Sequence, residues 1–178
     1  MSPRPALLPL LLLAGCNWTG GPFYAASEAQ APIAPGTYRT DETARPGPNP
    51  APLRISVLPS GLTRIAPVSG GHGDTEAGFA PLGSDGRFYL FWVARFDGRE
   101  VPAGGMPYGL LERRPAGHYR IYLPDCSRDR ADALAAGAVP DSEDAQPDCR
   151  FPSRASLEAG LRAYAGHPSD PLELIPVR

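Results

Sequence analysis

One segment limits the folds open to this chain more than any other. Across residues 87–96 apolar and aromatic side chains occupy both faces of an alternating pattern, with Phe88, Leu90, Trp92 and Phe96 on one side and Tyr89, Phe91 and Val93 on the other. A strand that is apolar on both faces needs cover on both. It therefore belongs inside a sheet and under a second layer, not at a solvated edge.

The surrounding sequence supplies partners for that strand. Leu53, Ile55 and Val57 alternate against Arg54 and Ser56, and Pro59-Ser60-Gly61 then turns the chain into residues 62–66. Proline presets one turn residue and glycine tolerates positive φ at a following one, which makes these hairpin signals. Gly83-Ser84-Asp85-Gly86 is a second such signal, and Pro115-Ala116-Gly117 is a third, pairing residues 108–112 with 118–123. Residues 36–40 read as the first strand of the domain. Residues 172–177 read as an edge strand, with Pro176 discouraging further pairing.

Two helices are predicted after the sheet. Ser127 is placed to cap a short one running to Leu134 and stopping at Gly137, and Ser153 to cap a longer one running to Ala165. Leu157, Leu161 and Tyr164 form one apolar stripe on the second helix. Strands followed by helices predict an α+β fold: mainly an antiparallel β-meander, as an open sheet or partly open small barrel, with a C-terminal helix packed on it.

The amino terminus reads differently. Arg4 precedes an apolar run over residues 6–13, which is too short for a membrane span of about 20 residues and carries Pro9, with Pro5 just ahead of it. The run ends at Leu13-Ala14-Gly15-Cys16, which resembles the lipobox of a bacterial lipoprotein signal peptide. The resemblance implies cleavage before Cys16 and acylation of that cysteine, which would then anchor the protein in a lipid bilayer. It divides the chain into a signal peptide at 1–15, a lipidated cysteine with a flexible tether at 16–35, and a single β-rich domain at 36–178. The tether is rich in Gly, Ala, Ser and Pro, and a coil of that length reaches on the order of 25 Å. Asn17 in place of an aspartate favours the outer membrane, with the domain facing the periplasm. In that setting the Asn17-Trp18-Thr19 sequon is idle.

With Cys16 acylated, Cys126 and Cys149 are left in an oxidising compartment, where a disulfide between them is expected. Closing that loop stabilises a fold by roughly 3 kcal/mol. The competing reading is a metal site formed by both thiolates with His118 or His167.

Composition removes several activities. All 17 basic residues are arginine, so Schiff-base lysines, phosphate-loop lysines and Ser-Lys dyads are excluded. A net charge of -2 and the lack of a basic run argue against nucleic acid as a partner. His72, Asp74 and Glu76, in a glycine-rich loop, are of the types that bind a divalent metal. Ser69 has Pro67 two positions ahead where a nucleophile elbow has its upstream glycine, and Ser84 departs likewise. The aromatics of residues 87–96 either build the core or line a cavity for a small apolar guest.

No catalytic motif and no cofactor are implied. The expected function is that of a membrane-anchored lipoprotein acting by binding, with an envelope protein as partner, or by envelope support. Two alternatives stay open: a lipid-anchored hydrolase or metal-binding protein built on the His72 loop, and a carrier of a small apolar ligand.

Overall fold

A computed structural model describes residues 17–41, 52–142 and 147–177. The lipobox and Cys16 lie outside the described residues. Among the described residues twelve strands form: β1 (Trp18–Gly20), β2 (Gly36–Asp41), β3 (Leu53–Val57), β4 (Thr63–Pro67), β5 (Thr75–Pro81), β6 (Phe88–Phe96), β7 (Arg99–Glu100), β8 (Met106–Arg113), β9 (Tyr119–Tyr122), β10 (Val139–Pro140), β11 (Cys149–Phe151) and β12 (Leu172–Pro176). Two α-helices accompany them, α1 (Arg130–Ala135) and α2 (Arg154–Tyr164). No helix among the described residues is long and apolar enough to cross a membrane.

The antiparallel meander is as the hairpin signals predict. It runs β2-β3-β4-β5-β6 and continues through β8 and β9, with Leu110 opposite Tyr122 and Phe91 opposite Gly109. Its closure differs from expectation. β12 pairs with β9 on one side and β2 on the other, so the sheet shuts into an eight-stranded barrel, neither open nor partly open. The segment read as an edge strand is therefore the closing stave. Pro176 sits at its last register pair, opposite Tyr38, and the next residue, Val177, donates its N–H to the Thr37 carbonyl. The proline comes late enough to cost the ladder little.

A barrel of this size has an interior that side chains can fill. Tyr38, Ile55, Phe79, Phe91, Leu111, Tyr119 and Leu174 form the inner cluster. Leu90, Trp92, Tyr108, Leu110 and Tyr122 point outward into a second cluster, beneath α2 and the amino-terminal segment. β6 thus contributes to both cores, as its two-faced pattern requires. Two strand glycines make room for its rings: a Cβ on Gly78 would stand 2.1 Å from the Trp92 ring, and one on Gly109 would stand 2.4 Å from the Phe91 ring.

Helix α2 starts as predicted, with the Ser153 hydroxyl accepting the Ser156 N–H, and buries Leu157, Leu161 and Tyr164. Helix α1 begins at Arg130, later than a Ser127 cap would place it, because Ser127 is turned to the Asp125 carboxylate.

The largest correction concerns residues 17–35. They are no tether: β1 pairs with β8 and, in parallel, with β11, while Trp18 and Ile33 are fully buried. Trp18, Tyr24 and Ile33 bring enough apolar area to outweigh the entropy of ordering the segment. The packed domain accordingly includes the described residues ahead of the expected Gly36, from Asn17 on.

Candidate functional site

Asn17, the residue after Cys16, is held from several directions. Its N–H donates to an Asp148 carboxylate oxygen at 2.8 Å, its carbonyl accepts the Cys149 N–H at 3.0 Å, and it bridges to Asp125. Cys149 is bonded to Cys126 across 23 positions of the chain, so the disulfide staples the strand on which Asn17 rests. The two cysteines are joined as the sequence led us to expect, and that pairing leaves neither thiolate for a metal.

Trp18 follows, its ring 5.1 Å from Phe151 and 5.6 Å from Tyr164. Gly160 of α2 lets the two elements close, since a Cβ there would meet Phe151 at 3.0 Å and Trp18 at 3.2 Å. Tyr24 stacks on Trp92 at 5.0 Å and donates its hydroxyl to Glu158, while the Arg154 guanidinium lies over its ring at 4.0 Å. Burial alone would raise the Glu158 carboxyl, but hydrogen bonds from Tyr24, Arg154 and Arg162 outweigh it and hold the group below the usual carboxylate range. The same Arg154 reaches Glu28 at 2.7 Å. A polar clasp on top of an apolar seat thus fixes the amino-terminal segment to the barrel.

The His72 loop is organised by a residue that the sequence did not single out. Asp97, at φ 48°, accepts the N–H groups of Gly73 at 2.6 Å and Asp74 at 3.0 Å, and its other oxygen lies 3.1 Å from His72 Nδ1. The Gly73 N–H is the main reason the Asp97 carboxyl is lowered; burial opposes it and His72 assists. Asp74 is engaged by the Arg64 guanidinium, and Glu76 lies in register with Arg64 and Arg95. The His72 ring and the Asp74 carboxylate are thus engaged by Asp97 and Arg64. Among the described residues no group of three or more His, Cys, Asp or Glu is placed to hold a metal. Asp97-Gly98 is a turn signal between β6 and β7, and that pair was the clue available in the sequence.

Ser69 directs its hydroxyl to the Gly70 carbonyl, and Ser84 lies in a groove beside Phe88 and Arg162. His167 pairs with Asp132 at 3.2 Å and with neither serine.

Arginine and glutamate meet elsewhere on the barrel. Glu112, only 2% exposed, accepts Arg87 at 2.7 Å and Arg114 at 3.1 Å on one oxygen and the Tyr122 hydroxyl at 2.9 Å on the other. Desolvation pushes this carboxyl up, and the donors more than cancel it, leaving it lowered. Beside this group, Arg114, Pro115, His118, Tyr119, Arg120 and Glu173 line a polar cleft of about 230 Å³. Arg120 bonds Glu173 at 2.7 Å across its wall. Strand alternation put Glu112 on the same outward face as Leu110, so its burial was not legible without knowing what covers that face.

Comparison with known proteins finds no counterpart: no family model, no curated protein and no solved structure matches this chain.

Proposed function

We propose that this chain is an outer-membrane lipoprotein that acts by binding, its barrel held at the periplasmic face of the membrane through acylated Cys16. The observation that carries the reading is the coincidence of two features at one point. The lipobox ends at Cys16, and the very next residue is already fastened to a disulfide-bonded strand. A disulfide suits an exported protein, and a fixed attachment suits a protein that must hold a defined position.

Binding is preferred to carriage of an apolar guest because inward-facing Phe79, Phe91, Tyr38 and Tyr119 pack against one another in the barrel. It is preferred to metal or hydrolytic chemistry because Asp74 and His72 are committed to Arg64 and Asp97. Cys16→Ser is the decisive variant. It should move the protein from the membrane fraction to the soluble periplasm, whereas unchanged fractionation overturns the anchoring.

A further inference from the structure

Acylation of Cys16, on which this inference rests, brings lipid next to a fixed part of the fold. Consecutive Cα atoms lie about 3.8 Å apart, so the acyl chains would start one residue from Asn17. Asn17 is not on a leash. It is bound to Asp148, Cys149 and Asp125, and Trp18 behind it is fully buried. The bilayer must then come to the surface of the domain.

Which surface it meets is set by the strand order. Asn17 leads into β1, which extends from β8 and continues through β11 to β10 as a side layer off the barrel. In the ring β8-β9-β12-β2-β3-β4-β5-β6, β3 stands diametrically opposite β8. The flank and the β3 side thus face opposite ways. The flank also carries what an interfacial surface needs. Val139 on β10 is 61% exposed, with the exposed Arg150 in register beside it, and Leu134 on α1 is 44% exposed, one helical turn from the exposed Arg130; both guanidiniums are of a type that binds lipid phosphates.

We propose that the acylated protein rests on the phospholipid bilayer by its β1-β11-β10 flank, with Leu134 and Val139 at headgroup depth, and presents the β3 side of the barrel to the periplasm. The flank is a lipid-contacting surface in its own right. The orientation is set by the fold, not by the sampling of a flexible linker.

Hydroxyl-radical footprinting of the full acylated chain on vesicles of phosphatidylethanolamine and phosphatidylglycerol tests this, with the soluble Cys16→Ser protein as reference. Flotation with the vesicles is scored separately. Oxidation of Leu134 and Val139 should fall several-fold on the vesicles, with Val57 and Val68 unchanged. A Gly/Ser insertion of about ten residues between Cys16 and Asn17 should restore the labelling while the protein still floats. Protein that floats with all four residues equally labelled overturns the flush orientation and leaves the anchor standing. Protein that does not float overturns the anchoring reading itself, and protection of Val57 or Val68 to the same extent overturns the assignment of the flank as the face that meets the lipid.

Discussion

The two halves of the barrel wall obey the same strand rules and present opposite chemistry. On β6, β8 and β9 the outward positions include Leu90, Trp92, Tyr108, Leu110 and Tyr122, all buried in the cluster beneath the amino-terminal segment and the helices. On β2, β3 and β4 they are Thr37, Arg39, Arg54, Ser56 and Arg64, which face water. Only the first half has a second core. The contrast teaches that residues 17–35 are structural cover, and that the barrel does not stand on interior packing alone.

Trp18→Ala should have the largest effect, because it empties the contact between Phe151, Tyr164 and Gly160. A loss of about 3–5 kcal/mol is expected from denaturant unfolding. A loss under about 1 kcal/mol would mean that the segment is peripheral and the comparison false. Removing the staple by Cys126→Ala with Cys149→Ala comes next, at roughly 3 kcal/mol. Hydrogen exchange should show β1 and β11 losing protection while β3 and β4 keep theirs.

Glu112→Gln weakens a buried carboxylate cluster on the covered half, and a loss of about 1–3 kcal/mol at neutral pH is expected. Its folded carboxyl lies below the unfolded value of about 4.3, so its contribution is present above that pH and disappears as pH falls through the folded value. The variant should therefore lose less stability on acidification than the parent, as followed by unfolding midpoints on the acid limb. An unchanged acid limb would show that the cluster does not contribute. Arg54→Ala, on the bare half, should change stability by no more than about 0.5 kcal/mol. A larger loss there would mean that this face is also covered.

How much of this was legible depends on the range of the interactions involved. The hairpins at Pro59-Ser60-Gly61 and Gly83-Ser84-Asp85-Gly86 and the Ser153 cap were readable because turns and caps are local. The disulfide was expected from counting cysteines once one of them was assigned to lipid. The error at residues 17–35 came from reading Gly, Ala, Ser and Pro as linker composition while passing over Trp18, Phe23, Tyr24 and Ile33. Four large apolar side chains are more than a solvated leash has use for. The partners of Trp18 lie at Phe151 and Tyr164, near the other end of the chain, and nothing adjacent to it announces them.

Of the candidate site residues, Cys126 and Cys149 came together and the His72 group did not. Asp97 and Glu112 escaped notice because a single acid, even in a turn signal such as Asp97-Gly98, does not announce its partners. Their roles come from where Gly73 and Asp74, or Arg87, Arg114 and Tyr122, are delivered by other strands.

By itself, then, the chain's order of residues determined the antiparallel strands, their turns, the α2 cap and the two-faced character of β6, all of which depend on neighbours a few positions apart. Closure by β12, the burial of Trp18 and the attachment of Asn17 to the stapled strand were decided only in the tertiary structure. They depend on segments from opposite ends of the chain meeting, and the free energy for that comes from apolar area and unpaired strand edges that no local pattern records.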